Sequence, residues 1–260
     1  PVELTHGDID QRANAVARAL VAKGFQRGDR IAILAANSAD YLATYFGTMR
    51  AGMISVPVNW RFPKETVAYI LEDCDTKIVF TDTVRRGAVP DGLPIVEFGQ
   101  DFVDFLDPGD FEIVECGQEE VAMFLYTSGS TGRPKGVPLT HHGHLWVIEM
   151  RSKGGGIEAH RLLVAAPLYH MNALAIAKAA LLGHATIVLL PQFTTESYVK
   201  AIEKFRCTWL TSVPTMMALV TKETTLVEAT DLSSVKIVRM GSAPATQRLF
   251  DDIRRIFDDV

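Results

Sequence analysis

Short apolar runs rich in β-branched residues recur along this chain with helical patterns between them, and no other feature limits the fold as strongly. They are "RIAILA" (30–35), "ISVPV" (54–58), "KIVFTD" (77–82), "VAMFLY" (121–126), "RLLVAA" (161–166), "ATIVLL" (185–190), "CTWLTS" (207–212) and "VKIVRM" (235–240). A strand exposed on one face alternates apolar and polar residues, whereas these runs are continuous. They therefore read as strands of a mostly parallel sheet covered by helices on both faces, an α/β architecture.

The segments between them carry helix signals. The first twenty residues enter a helix almost at once. Asn37 or Ser38 can cap a helix through "ADYLATYFGTMRA" that ends at Gly52, and Pro63 occupies a first helical turn ahead of "ETVAYILEDC". From Thr83 to Gln118 the pattern weakens into a stretch with "PDGLP" and "DPGD", which reads as surface connection. "SKGGGIEAH" (152–160) is a second break, either a subdomain boundary or a loop. The expected division is a first α/β subdomain over 1–152, with the packing of its first few residues against the second left open, and a second, incomplete one over 153–260.

With 260 residues, 48% of them hydrophobic and 22% charged, the chain can bury one large core or two modest ones. A net charge of -5 leaves no basic field for nucleic acid or an anionic membrane surface, although a single anionic ligand stays open. The cysteines, Cys74, Cys116 and Cys207, are odd in number and far apart, as expected of free thiols in a reducing compartment, so a cytoplasmic location is expected. No uncharged apolar stretch reaches the length of a membrane span, and no signal-peptide pattern opens the chain. "DIRRIFDDV" stops without a capping signal, so the sequence reads as part of a longer protein.

One polar stretch departs from this regularity. "LYTSGSTGRPKGVPLTHH" (125–142) follows the strand "VAMFLY" and precedes the helical pattern "HHGHLWVIEMRS", which places a loop over 125–137 at the carboxyl end of a strand, where α/β sheets bind ligands. Its glycines let the backbone approach an anion, its hydroxyls donate hydrogen bonds and Lys135 adds charge, so the ligand read from it is phosphate. It is not a Walker loop, because Gly136 follows Lys135 where Ser or Thr belongs and Arg133 and Pro134 precede it. His141, His142 and His144 have no cysteine or carboxylate at ligand spacing and read as a helix start without metal.

"YTSGSTGRPKGV" resembles the signature of adenylate-forming enzymes, the group containing acyl-CoA synthetases, luciferases and peptide-synthetase adenylation domains. "GDRIAILAANSADYLATYFGTMRAGMISVPVN", "PLYHMNAL", "TSVPTMM" and "MGSAP" resemble further motifs of that family in the right order, so the likeness covers essentially the whole chain. It implies an AMP-forming carboxylate ligase. A carboxylate attacks the α-phosphate of ATP to give an acyl-adenylate and pyrophosphate, and a thiol, usually of coenzyme A, displaces AMP.

By position, the resemblance assigns Thr127, Ser128, Ser130 and Thr131 to the β- and γ-phosphates, with Gly129 and Gly132 giving backbone access and Lys135 charge. Mg2+ would bridge the phosphates, with no ligand assigned in this chain. His170 in "PLYHMNAL" would line the acyl and pantetheine site, and the turn Gly241, Ser242, Ala243 and Pro244 would meet adenine and the acyl group. "MNALAIAKAALLG" and "TSVPTMMALV" are apolar and fit either an acyl pocket for a fatty, alicyclic or aromatic acid or the core faces of buried helices.

The family's later glutamate and aspartate motifs and its C-terminal domain with the catalytic lysine are not in the sequence, and Lys135 is not that lysine. The 260 residues are therefore read as an N-terminal fragment of an acyl-CoA synthetase, expected to be almost inactive alone, whose partners are ATP, CoA, a small carboxylic acid and the missing C-terminal domain. A peptide-synthetase adenylation domain, which would carry an acidic residue for the amino group, and a non-catalytic nucleotide-binding module are the alternatives.

Overall fold

The computed structural model describes residues 2–127, 132–152 and 156–257. The chain divides into two compact units, Pro1–Trp146 and Val147–Val260.

In the first unit, helix α1 (His6–Ala22) leads to β1 (Arg30–Leu34), α2 (Ala39–Arg50), β2 (Ile54–Pro57), α3 (Lys64–Asp73) and β3 (Thr76–Thr81). Then come β4 (Ile95–Glu97), α4 (Gln100–Phe105), β5 (Val121–Thr127), β6 (Lys135–Thr140) and α5 (His141–Ser152). Local chemistry sets the helix starts. Thr5 and Asp8 form a reciprocal capping box at α1, and Ser38, rather than Asn37, caps α2 by accepting the Tyr41 N–H at 3.0 Å. Pro63 takes the cap position of α3, one residue before the helical turn expected of it.

The strands form one sheet in the order β4-β3-β1-β2-β5-β6, parallel except for the antiparallel β5–β6 pair. The strands' two-residue alternation divides the core between the two faces. Ile31, Ile78 and Phe80 pack with Val16 and Leu20 of α1 and with Phe102 and Phe105 of α4, whereas Ala32, Leu34 and Val79 pack with Val67, Ile70 and Leu71 of α3.

Two expectations from the sequence need correction here. The stretch 83–118 is not mere surface connection, because it supplies the edge strand β4 and the helix α4. Phe102 and Phe105 meet the Phe80 ring edge-on at centroid distances of 6.1 and 5.2 Å. The strand is three residues long and the helix six, too short for either periodicity to register. The polar stretch after "VAMFLY" also does not run straight to a helix. It turns back on itself, since β6 pairs with β5 in the register Tyr126↔Gly136 and Thr127↔Lys135. As an edge strand, β6 needs only one row of partners, so it tolerates Pro138 and a polar composition that conceals it in the sequence.

The second unit begins from the later part of α5 and contains β7 (Arg161–Val164), α6 (Met171–Leu182), β8 (Thr186–Leu189) and α7 (Thr195–Phe205). It continues through β9 (Trp209–Ser212), α8 (Pro214–Val220), α9 (Thr224–Glu228), β10 (Ile237–Met240) and α10 (Gln247–Ile256). The sheet is wholly parallel, in the order β10-β9-β7-β8. All three cysteines are free. No helix of the described residues is long and apolar enough to cross a membrane.

Candidate functional site

In the first unit the candidate site is the β5–β6 hairpin, at the carboxyl edge of the sheet because β5 runs parallel to β2. Thr127 ends β5, Lys135 opens β6, and the two are cross-strand partners with exposed side chains. Gly132 has φ +92°, a conformation that a side chain would strain. Ser128, Gly129, Ser130 and Thr131 lie outside the described residues. The first unit's switch point lies between the carboxyl ends of β1 and β3, where connections depart in opposite directions. Asp82 there accepts the Ala36 N–H at 2.8 Å and an Arg85 N–H at 2.6 Å.

The hairpin's flanks are tied down on both sides. At its open end Arg27 donates two hydrogen bonds to Glu120, one of them at 2.7 Å, and the Gly117 N–H adds a third at 3.0 Å. Chiefly through Arg27, these hold the Glu120 carboxyl down at about 2. Burial pushes the neighbouring His141 imidazole below its ordinary value. At the loop end Tyr126 donates to Asp73 of α3 at 2.6 Å, and the Arg133 guanidinium lies 5.2 Å from the centre of the Tyr69 ring. Burial, with Asp73 adding to it, raises the Tyr126 hydroxyl. Nothing in the sequence marked Asp73 or Tyr69, since their role depends on where α3 ends in space.

In the second unit the switch point is explicit. The chain leaves β7 toward β8 on one side and β9 toward β10 on the other, so a crevice opens between the carboxyl ends of β7 and β9. "PLYHMNAL" forms the turn from β7 into α6. His170 takes the cap position with its side chain exposed, its N–H bonds Pro167 O at 3.0 Å, and its ring meets the buried Tyr169 ring at 4.6 Å.

Two motifs far apart in sequence converge there. The Ser212 carbonyl, at the end of β9, accepts the Gly241 N–H at 3.3 Å and the Asn172 amide at 3.4 Å. The turn Gly241–Pro244 is thus held beside the start of α6. Ser242 has φ +70° with its side chain exposed, a strain on the order of 1–3 kcal/mol of the kind that concentrates at functional turns. The run Ala173–Ala180 of α6, including Lys178, is buried, as are Thr211, Ser212, Met216, Met217 and Val220. Most of the two apolar segments therefore serves as core, leaving His170, Met171 and Asn172 nearer the crevice.

A family model described as "AMP-binding enzyme" matches residues 1–260. The chain belongs to this family. A feruloyl-CoA synthase of Amycolatopsis is 33% identical over 248 residues, covering 93% of this chain and 50% of that protein. The long-chain-fatty-acid–CoA ligase FadD13 of Mycobacterium tuberculosis is 32% identical over 204 residues, covering 74% and 41%. Among solved structures, the inhibitor-bound N-terminal domain of FACL13 from Mycobacterium tuberculosis superposes with a TM-score of 0.87 at 25% identity, covering 98% of this chain and 67% of that one. ATP-bound MatB from Rhodopseudomonas palustris superposes with a TM-score of 0.83 at 27% identity, covering 96% and 52%. The chain spans about half the length of the curated relatives it matches. As a family member it has the expected α/β architecture of an adenylate-forming N-terminal domain.

Proposed function

We propose that the full-length protein is an AMP-forming acid–CoA ligase. The observation that carries this reading is the family match across all 260 residues, reinforced by relatives named as CoA ligases for a feruloyl and a fatty acyl group. A carboxylate oxygen attacks the α-phosphorus of ATP, breaking its bond to the bridging oxygen and releasing pyrophosphate. The CoA thiol then loses its proton and attacks the acyl carbon, expelling AMP. The relatives' names carry a feruloyl and a long-chain fatty acyl group, so a fatty, alicyclic or aromatic acid is the substrate class we favour.

The work of the first step is electrostatic, because charge shifts onto the departing pyrophosphate and donors placed in advance lower that barrier. Thr127, Ser128, Ser130 and Thr131 are the hydroxyl donors of this reading, Gly129 and Gly132 the points of close backbone approach, and Lys135 the cation. His170 lines the acyl and pantetheine side, and Gly241, Ser242, Ala243 and Pro244 form the adenine and acyl turn. The phosphate hairpin then belongs to a subdomain over 1–152 and the acyl side to one over 153–260. Among the described residues no group of three or more His, Cys, Asp or Glu is placed to hold a metal ion. Magnesium in this reading bridges the phosphates of ATP, and no residue of this chain is assigned to hold it. A cytoplasmic location fits the three free thiols.

The test is pyrophosphate release by the full-length protein against a panel of carboxylic acids, with hydroxylamine present to trap the acyl-adenylate and CoA added in a second series. Hydroxamate from an apolar acid, and thioester once CoA is present, support the reading. No pyrophosphate from any acid, or selective activation of amino acids, overturns it.

A further inference from the structure

The last turn of α3 has an unexplained feature. Asp73 is an exposed carboxylate at a helix C-terminus, the end where the helix dipole disfavours an anion. Its oxygens are nevertheless both used: one accepts the Tyr126 hydroxyl at 2.6 Å and the other the Tyr69 hydroxyl at 3.2 Å. Tyr69 and Asp73 stand one helical turn apart, so they share a face, and that face is turned to the hairpin. Tyr126 immediately precedes Thr127. Its ring lies so close to Gly136 that a Cβ there would be 3.0 Å from the ring carbon bearing the hydroxyl. Arg133, three residues before Gly136, covers the Tyr69 ring at 5.2 Å.

These contacts land on both strands of the hairpin and on its loop. They matter because β6 has only one neighbouring strand and its first four residues are exposed, so sheet pairing alone leaves the hairpin free to tilt. We propose that Asp73 is a positioning residue for the phosphate hairpin: through Tyr126 and Tyr69, the end of α3 fixes the angle at which Thr127 and Lys135 face the triphosphate. The proposal rests on the ligase reading above and adds to it a residue outside every motif that identifies the family. Its advantage is preorganisation, since donors fixed before ATP arrives do not have to be ordered during the reaction.

The experiment uses the full-length protein with Asp73→Ala, Tyr126→Phe, the double variant and Asp73→Asn, and Lys135→Ala as a reference. The readouts are Mg-ATP affinity by calorimetry, kcat and KM of pyrophosphate release, thioester formation from supplied acyl-adenylate, and the unfolding temperature. Asp73→Ala is expected to weaken Mg-ATP affinity and adenylation about tenfold, the loss typical of a charge-assisted hydrogen bond. The thioester step should be unchanged. The double variant should be no worse than Asp73→Ala, because Tyr126 and Asp73 act as one unit, and Asp73→Asn, which keeps an acceptor oxygen, should recover most of the loss. The proposal is overturned if Lys135→Ala impairs adenylation while Asp73→Ala leaves Mg-ATP affinity within about twofold, if the two half-reactions fall equally, or if the losses of Asp73→Ala and Tyr126→Phe simply add. If Lys135→Ala itself has no effect on Mg-ATP, the phosphate assignment fails and the role of Asp73 falls with it.

Discussion

Replacing Phe80 by alanine tests whether the stretch after β3 is part of the core. Phe80 is fully buried in β3 and meets three rings, Phe98, Phe102 and Phe105, at centroid distances of 6.3, 6.1 and 5.2 Å. Truncating a buried phenylalanine costs about 3–5 kcal/mol, and each well-oriented aromatic pair contributes roughly 0.5–1.5 kcal/mol beyond its area. Two of the three pairs here are edge-on, so a loss of about 4 kcal/mol is expected, a large share of the roughly 5–15 kcal/mol typical of a domain. At about 2–4 °C per kcal/mol for a chain of this size, the unfolding temperature should fall by roughly 10 °C. Urea denaturation and a thermal scan measure it, with limited proteolysis between residues 98 and 115 reporting release of α4. As a control, Val103→Ala on the exposed side of α4 should change stability by less than about 0.5 kcal/mol. A loss below about 1 kcal/mol for Phe80→Ala, with α4 no more cleavable than before, would show that β4 and α4 only rest against the sheet and that the assignment of this stretch to the core is wrong.

In the full-length protein, Lys135→Ala should slow adenylation about a hundredfold, as expected from losing a prearranged charge worth about 3 kcal/mol, and should leave thioester formation from supplied acyl-adenylate near its normal rate; equal losses in the two steps would refute the phosphate role. His170→Ala should change which acids are used or slow the thioester step with Mg-ATP affinity kept, as competition among a panel of acids would show, and collapse of ATP binding instead would move His170 out of the acyl side. The Glu120 carboxyl, held down at about 2 first by Arg27, lies below its ordinary 4.5, so its contribution to stability is fully present above about pH 4.5 and disappears as the pH falls toward 2. The deficit of Arg27→Ala against the parent should therefore be larger at pH 7 than near pH 2, as urea titrations at the two pH values would reveal; a gap of constant size would refute the linkage.

Much of this protein follows from its sequence because strands buried on both faces have to be apolar throughout. The runs at 30–35, 77–82, 161–166 and 207–212 fall on β1, β3, β7 and β9 for that reason. The stretch 125–137 also stood apart in the sequence, since its mixture of glycine, hydroxyl and cationic residues serves neither a core nor a regular helix. What local pattern did not carry is the set of relations fixed by sheet order and helix direction. β4 and α4 are too short to show a period, and β6 needs no apolar face because it lies at an edge. Asp73 comes to Tyr126, 53 residues away, because α3 packs on the sheet through Val67, Ile70 and Leu71 and ends beside β5. Asn172, Ser212 and Gly241 meet because the chain crosses from β8 past β7 to β9, bringing three distant turns to one switch point. Composition and periodicity are properties of neighbours along the chain, so they determined the elements; which residues share a site depends on the order in which those elements pack, and only the tertiary structure decided that.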